Sequence, residues 1–165
     1  RERRVPLAEF YLDYMKNQLQ AGELLQALVL PLSATARQVR GYKISKRFDC
    51  DISAVCAGLS IELAGDTVKQ VRLAFGGMAA TVKRATKAEA ALAGQPWSQD
   101  NVKRAQAALV HDFKPLSDMR ASAAYRLQVA QNLLQRFWLE TRAHDALPPQ
   151  ATSVWSAMQH AEVER

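Results

Sequence analysis

Residues Ile52–Phe75 read ISAVCAGLSIELAGDTVKQVRLAF, two β-prone runs separated by a short turn. The first run, Ile52 to Leu63, is rich in Val, Ile and Leu, and the second, Thr67 to Phe75, alternates apolar with polar residues as a half-buried strand does. Ala64-Gly65-Asp66 lies between them and is a turn signal. Strands joined by so short a turn form an antiparallel hairpin, and we expect Gly76-Gly77 to end its second strand.

Two further β-like runs precede the hairpin. Glu23 to Leu30 is an apolar run closed by Pro31, which cannot donate a ladder hydrogen bond and so ends a strand. Gln38 to Arg47 alternates basic or polar residues with apolar ones. With the hairpin, these runs predict a small antiparallel sheet of three to four strands between residues 23 and 75.

After residue 85 the pattern becomes helical. Lys87 to Leu92 is rich in Ala, and Ser98 is a suitable N-cap for a helix that continues to Phe113. Arg120 to Arg142 reads as a long amphipathic helix. The run from Ala151 to Ala161 predicts either a short final helix or a tail.

Strands followed by helices predict an α+β domain whose helices pack on one face of the sheet. A chain of 165 residues suits one such domain. We expect residues 1–22 to be a linker from an upstream region, residues 23–145 to form the domain, and residues 146–165 to be a helix or tail. The chain begins with Arg1 and has no signal segment, which favours a piece of a longer polypeptide.

Composition excludes several classes of protein. Apolar residues make up 48% and charged residues 23%, with 7 Gly and 6 Pro, which excludes a collagenous, low-complexity or wholly disordered chain. No stretch approaches the ~20 apolar residues of a membrane helix, so we expect no membrane partner. The 2 cysteines are too few for a disulfide framework and favour a reducing compartment, the cytoplasm.

The net charge of +6 favours polyanionic partners such as nucleic acid, dinucleotides or acidic protein surfaces. The basic residues form only small clusters, at Arg1–Arg4, Lys43–Arg47 and Lys83–Lys87, with few aromatic side chains among them for stacking on bases. We therefore expect no nucleic-acid partner. A basic, non-catalytic module that docks on nucleic acid or on an acidic protein is the alternative function.

The sequence contains no self-sufficient catalytic or metal-binding constellation. Cys50 and Cys56 have no nearby His to complete a metal site, and on an extended stretch they would lie roughly 20 Å apart, too far for a disulfide. The histidines, His111, His144 and His160, are isolated. Nucleophile-elbow, phosphate-loop and dinucleotide fingerprints are absent. We expect no catalytic residue and no metal ligand in this chain.

Two short motifs have a structural and a functional interpretation each. Gly76-Gly77 is more typical of a tight turn with positive φ than of a phosphate cradle. The basic stretch from Gly41 to Ile52 could place ammonium and guanidinium groups over an anionic ligand such as the pyrophosphate of a dinucleotide. It could equally be a charged edge strand that resists aggregation.

Four segments resemble, in order and spacing, the C-terminal part of the flavin domain of xanthine dehydrogenases, a part shared with carbon monoxide dehydrogenase flavoproteins. They are Tyr42-Lys43-Ile44-Ser45-Lys46-Arg47 with Asp51-Ile52, Leu7–Tyr11 with Glu23-Leu24-Leu25, Val71–Ala79 with its Gly-Gly-Met turn, and Ser117–Arg126. The resemblance runs from about residue 7 to residue 140. It extends to the small subunits of bacterial xanthine dehydrogenases, which carry iron–sulfur and flavin domains on one polypeptide.

The resemblance implies a role in electron transfer. In this family a purine is hydroxylated at a molybdenum cofactor on another subunit or domain, and electrons pass through two [2Fe–2S] clusters to FAD and then to NAD. The part that this chain resembles closes over one side of the flavin and shapes the route of the nicotinamide. The implied partners are the upstream FAD and iron–sulfur domains, the molybdenum-cofactor subunit and NAD, in a hetero-oligomer.

The resemblance also implies which cofactors this chain does not hold by itself. The loops that grip most of the FAD lie upstream in the family, so FAD is shared with that region and we expect the isolated chain to bind it weakly or not at all. The [2Fe–2S] clusters and the molybdenum cofactor belong to other parts of the complex. We therefore expect the chain alone to be inactive.

Three cofactor-binding residues are implied by the resemblance. Lys16 and Lys43 match lysines near the FAD, where each could stabilise negative charge on the reduced flavin or on a phosphate. Leu25 matches an apolar residue that packs on the isoalloxazine ring, although an ordinary core leucine fits the same pattern. Cys50 stands where some relatives carry an acidic residue, which weakens any charge-based control of NAD access at that position.

The motif before the long helix has a structural interpretation. We expect Asp118 to be the N-cap of that helix. We expect Arg120 and Arg126 to pair with acidic neighbours.

Overall fold

The hairpin predicted at the centre of the chain is present in the computed structural model, which describes residues 1–30, 37–47 and 49–152. Strands β4 (Val55–Ala64) and β5 (Thr67–Gly76) are antiparallel and pair from Cys56 with Gly76 to Ala64 with Thr67. Gly65 in the connecting turn has φ 59°, a conformation that favours glycine. The hairpin prediction is confirmed.

The hairpin is the centre of a four-stranded antiparallel sheet. Strand β3 (Arg37–Ile44) pairs with β4 on one side, and β6 (Lys83–Arg84) pairs with β5 on the other. The sheet order is therefore β3-β4-β5-β6. Together with the helices that follow, the sheet confirms the predicted α+β class.

Three helices follow the sheet close to their predicted positions: α2 (Thr86–Leu92), α3 (Gln99–Asp112) and α4 (Ala123–Thr141). Ser98 occupies the N-cap position of α3, although its side chain makes no capping hydrogen bond. A short 3-10 helix spans Pro149–Thr152, and the remainder of the predicted 151–161 helix lies outside the described residues. None of the described helices combines the length and apolar character that crossing a membrane requires.

The helices pack on one face of the sheet, as predicted. Along β4, Val55, Ala57, Leu59 and Ile61 are each at most 1% exposed, while the alternate residues point to the other side. Helix α4 contacts β3 and β4, and α2 contacts β5. The largest fully buried side chains between these layers are Phe75, Phe137, Leu59, Ile61, Leu73, Met78, Leu92, Leu109, Leu134, Val55, Val68 and Val102. We call residues 37–141 the sheet–helix body.

The buried carboxylates of Glu89 and Asp112 in the sheet–helix body have partners. The Glu89 carboxylate accepts a hydrogen bond from the backbone N–H of Leu73 at 2.7 Å and pairs with Arg84. The Asp112 carboxylate accepts from the backbone N–H groups of Lys87 and Ala88 at the start of α2. These bonds tie the helices to each other and to β5, since an unpaired buried carboxylate would be costly.

The first thirty residues are organised differently, and we call them the N-terminal arm. They contain α1 (Leu7–Phe10) and a small hairpin of β1 (Tyr11–Asp13) and β2 (Lys16–Asn17), and no residue of the arm is buried. The Arg3 guanidinium pairs with Glu23 at 2.6 Å.

The prediction of a strand at Glu23–Leu30 is wrong. These residues have no strand partner among the described residues, and Leu24, Leu28, Val29 and Leu30 are 68–78% exposed. A strand needs both a paired edge and cover for its apolar face, and the described part of the chain offers this run neither. The fourth strand of the sheet is instead β6, whose two residues are too few to form a detectable pattern.

Candidate functional site

Lys43 projects from the open face of the sheet, the face without helices. The register places Lys43 opposite Cys56, which in turn lies opposite Gly76. The next residues on the same face, Gly41 and Gly58, have nothing within 4 Å of the position a Cβ would take. Lys43 therefore stands exposed at the edge of a flat, side-chain-poor surface.

The Lys43 ammonium makes no hydrogen bond or ion pair with any described residue. The opposite end of the same face is different, because Glu62 lies 3.8 Å from Arg37 and 2.5 Å from Lys69. The Lys69 ammonium lowers the pKa of the Glu62 carboxyl by hydrogen bonding to it. At that end of the open face one carboxylate thus serves two cations, whereas Lys43 pairs with no carboxylate among the described residues.

A groove lies beside the Lys43 end of the sheet, between residues 44–54 and residues 119–125. One cavity of about 400 Å³ is lined by Ile44, Ser45, Lys46 and Ala54 on one side and by residues at the start of α4, including Arg120 and Tyr125, on the other. A second cavity of about 220 Å³ shares Lys46, Ala54 and Arg120 and adds Asp51, Ile52 and Met119. The groove combines the Lys46 cation, Arg120 in its ion pair with Asp118, and the Asp51 carboxylate with an apolar lining.

One wall of the groove is a loop of which the structure describes residues 45–47 and 49–54, and Asp51 binds its backbone. Its carboxylate accepts hydrogen bonds from the backbone N–H of Arg47 at 2.9 Å and of Ile52 at 3.0 Å. The Arg47 backbone bond is the main cause that lowers the pKa of Asp51. The Lys46 ammonium crosses the groove and donates to the backbone carbonyl of Met119 at 2.6 Å, so no carboxylate neutralises its charge in the described structure.

The buried guanidinium of Arg126 joins three segments around the groove. Its Nη1 donates to the carbonyl oxygens of Ala54 and of Gly77, the latter at 2.9 Å, and its Nη2 donates to Asp118 at 2.7 Å. Arg126 is only 2% exposed. The pairing of Arg120 and Arg126 with an acidic neighbour is confirmed, since both bind Asp118.

Asp118 is not the N-cap of the long helix. Ser122 occupies that position, and its side chain accepts from the backbone N–H of Tyr125. Asp118 instead accepts from the backbone N–H groups of Arg120 and Ala121 in the turn before the helix. Burial raises the pKa of Asp118, but these hydrogen bonds and the two guanidinium groups outweigh it and hold the pKa below its ordinary value.

The other two residues implied by the resemblance lie in the N-terminal arm. Lys16 is exposed on β2, and Leu25 is 58% exposed in a segment without regular structure. The hydrogen bonds and ion pairs of the described arm residues stay within the arm. The structure therefore does not join Lys16 or Leu25 to Lys43, and their roles stay predictions.

The remaining candidates have ordinary surroundings. Cys50 and Cys56 are free and exposed, and His111 and His144 are exposed, while His160 lies outside the described residues. Within residues 1–30, 37–47 and 49–152, no group of three or more His, Cys, Asp or Glu side chains is placed to hold a metal ion. Gly77 has φ 78°, in agreement with the predicted tight turn.

Sequence reasoning missed the groove and the three-way role of Arg126. The acceptors of Arg126 include two backbone carbonyls from segments 49 and 72 residues away. Every residue has a backbone carbonyl, so the sequence does not show which carbonyls will accept from Arg126. The signals present were an arginine on the apolar side of a helix and a carboxylate eight residues before it.

The chain is similar in sequence to a known family and to two fungal enzymes. The CO dehydrogenase flavoprotein C-terminal domain family matches residues 40–141, more than half of the chain. A nicotinate hydroxylase of Emericella nidulans is 33% identical over 144 residues, which cover 83% of this chain and 11% of the relative. A xanthine dehydrogenase of the same organism is 32% identical over 151 residues, 89% of this chain and 11% of the relative. The chain thus spans about a tenth of these relatives.

A solved structure shares the fold. It is a carbon monoxide dehydrogenase from Hydrogenophaga pseudoflava that lacks the Mo-pyranopterin moiety of its molybdenum cofactor. The match has a TM-score of 0.70 and 25% identity, and covers 81% of this chain and 46% of that chain. The match to the family spans the open face, the groove and the buried Arg126. The chain therefore belongs to the CO dehydrogenase flavoprotein C-terminal domain family.

Proposed function

We propose that this chain is the C-terminal part of the FAD-binding region of a xanthine dehydrogenase of the bacterial type, where it helps to position FAD for electron transfer from [2Fe–2S] clusters to NAD. The observation that carries the proposal is Lys43, an exposed lysine with no partner among the described residues, on the open sheet face of a flavoprotein-family domain. An available cation on a flat surface suits a planar, anionic cofactor.

The residues of the open face fit one side of a flavin. Bound FAD would couple one-electron transfer from the clusters to two-electron hydride transfer to the nicotinamide. Lys43 supplies positive charge to an anionic group of the cofactor, and the neighbouring glycines leave room for a ring to approach the backbone. Lys16 and Leu25 contribute from the arm once the arm is docked against the rest of the protein.

The groove supports NAD as the acceptor. A dinucleotide carries two phosphate charges and flat apolar rings, and the groove offers Lys46 and Arg120 beside Ile44, Ala54 and Tyr125. The groove opens beside Ile44, the residue after Lys43. Successive strand residues point to opposite faces, so Ile44 and the groove lie on the helix side of the end of the sheet whose open face carries Lys43.

The exposed apolar side chains of the arm support partners elsewhere in a larger assembly. Five residues, Leu24, Leu25, Leu28, Val29 and Leu30, are each at least 58% exposed, more contiguous apolar surface than a folded chain normally leaves in water. We propose that residues 1–22 link to the upstream FAD and iron–sulfur domains and that residues 23–145 form the C-terminal domain. We place residues 146–165 after this domain and propose that a molybdenum-cofactor subunit completes a cytoplasmic hetero-oligomer.

The proposed function is tested by the visible spectrum of the assembly purified through this chain. We expect flavin bands over a broad iron–sulfur background, bleached when xanthine is added. The relatives include a nicotinate hydroxylase as well as a xanthine dehydrogenase, so nicotinate is the control substrate. Bleaching by nicotinate alone would keep the flavoprotein role and overturn the purine substrate, and a colourless assembly with intact subunits would overturn both.

A further inference from the structure

We propose that Arg126 is a positioning residue that sets the shape of the groove beside Lys43. It does so by holding Ala54, at the end of the loop that forms one wall, and the Gly76-Gly77 turn at a fixed spacing from the start of α4. The inference deepens the proposed function and rests on it wherever NAD is the readout.

The contacts of Arg126 lead directly to the groove. The carbonyl of Ala54, which accepts from Nη1, belongs to a residue that lines both cavities. The backbone N–H of the same residue donates to the carbonyl of Ile44 at 2.7 Å. Ile44 is the neighbour of Lys43, so the guanidinium is connected to the Lys43 strand through a single residue.

The second carbonyl lies one strand further across the sheet from Lys43, at the end of β5. Gly77 follows Gly76, which shares a row of the open face with Cys56 and Lys43. A Cβ at Gly77 would collide with the backbone oxygen of Ala54, so the turn and the loop are already in closest approach. With no side chain between them, the shared Nη1 donor is what links the two backbones at this point.

The carboxylate of Asp118 connects Arg126 to the opposite wall of the groove. It binds Arg126 at 2.7 Å and the guanidinium of Arg120, which lines both cavities, at 2.8 Å. A planar guanidinium can serve several acceptors in fixed directions, whereas an ammonium on a flexible stem cannot reproduce that geometry. Arg126→Lys therefore keeps the positive charge but no longer fixes the distances between Ala54, Gly77 and Asp118.

The test compares Arg126→Lys and Asp118→Asn with Arg136→Lys in the native assembly. Arg136 is a matched control because it lies on the same helix and pairs with a buried carboxylate, Glu140, at 2.6 Å. We expect Arg126→Lys to raise KM for NAD about tenfold, since a charge-assisted hydrogen bond is lost, with kcat for an artificial acceptor little changed. Asp118→Asn keeps one acceptor oxygen, so it should have a smaller effect in the same direction.

Hydrogen exchange supplies a readout that does not depend on NAD. The amides of Arg47 and Ala54, both hydrogen-bonded in the loop, should exchange faster in Arg126→Lys, while those at the centre of β4 stay protected. Unchanged loop exchange would overturn the positioning role. So would an unchanged KM for NAD in a parent assembly that reduces NAD. A parent that contains no flavin would instead contradict the proposed function.

Discussion

The N-terminal arm and the sheet–helix body both contain leucine, yet the arm exposes its leucines where the body buries them. In the body, Leu59, Leu73 and Leu134 are fully buried between the sheet and its helices. In the arm, Leu24 and Leu28 are 78% and 68% exposed. Apolar composition alone thus does not create a core, because a second layer must cover it. The body contains its second layer, and we propose that the upstream flavin-binding region covers the arm.

The two regions also differ in how they use charge. In the body, the Glu140 carboxylate is 7% exposed and accepts a hydrogen bond from the Tyr42 hydroxyl at 2.9 Å, with Arg40 and Arg136 beside it. In the arm, Arg3 and Glu23 form an ion pair with both side chains at least 30% exposed. The first network cross-links β3 to α4, and the second only fixes a turn at the surface.

The largest expected effect is on the free energy of unfolding, when the same substitution of leucine by alanine is made in the body and in the arm. Leu59→Ala should lower the free energy of unfolding by about 2–5 kcal/mol, because it leaves a cavity in a fully buried site. Leu28→Ala should change it by less than about 0.5 kcal/mol in the isolated chain, since that side chain is already in water. Urea unfolding of the two variants measures both values. Comparable losses would show that the arm is packed in solution.

A smaller effect is expected from Tyr42 and appears at high pH. Burial and the hydrogen bond to Glu140 raise the pKa of the Tyr42 phenol above its ordinary value of 10.0. The Tyr42 hydroxyl therefore contributes its full stabilisation of the folded state below pH 10. This stabilisation is lost as the pH rises through the pKa of Tyr42 in the folded state. Tyr42→Phe should cost about 1 kcal/mol at pH 7 and should flatten the decline of stability above pH 10.

The control for this experiment is Tyr14→Phe in the arm. Tyr14 is 72% exposed, so its replacement should leave the alkaline limb of the stability curve unchanged. Thermal unfolding of both variants between pH 7 and pH 11 measures the difference. If the two variants gave the same alkaline limb, the Tyr42–Glu140 cross-link would have no energetic role.

The smallest effect concerns the ion pair of the arm. The Arg3 guanidinium, by hydrogen bonding to Glu23, together with the backbone N–H of Gln20, lowers the pKa of Glu23 from 4.5 to about 2. The contribution of this pair is therefore present above pH 4.5 and is lost as the pH falls through about 2. A carboxyl carbon NMR titration should show the low midpoint, and Arg3→Ala should move it upward. A midpoint near 4.5 in the unmodified chain would mean that the turn is not formed in solution.

The elements that sequence predicts well are those whose signal is local. The β4–β5 hairpin follows from alternation around Gly65-Asp66, and α3 and α4 follow from their helical spacing. The run Glu23–Leu30 carries an equally strong apolar signal and forms no strand. Its conformation depends on a partner surface, and a local pattern contains no information about that surface.

In the candidate site, too, features that are encoded locally can be predicted from the sequence and features that depend on the fold cannot. The role of Lys43 is implied by the family resemblance and stays a prediction, and the structure shows that its side chain is exposed. The joint role of Arg126 is not predictable, because Ala54 and Gly77 act through backbone carbonyls brought together only by the fold. Ser122 rather than Asp118 caps α4, since Asp118 is engaged by the preceding turn and by two arginines.

The central claim is that the Lys43 end of the sheet serves the flavin and its acceptor. It is tested most directly by the ratio of NAD reduction to urate formation with an artificial acceptor, in assemblies carrying Lys43→Ala or the control Lys103→Ala on exposed α3 surface. The account predicts that Lys43→Ala lowers the ratio about tenfold, because one charge-assisted contact is lost, and that Lys103→Ala leaves it unchanged. Equal loss of both activities in Lys43→Ala, or a ratio equal to that of the control, would contradict it.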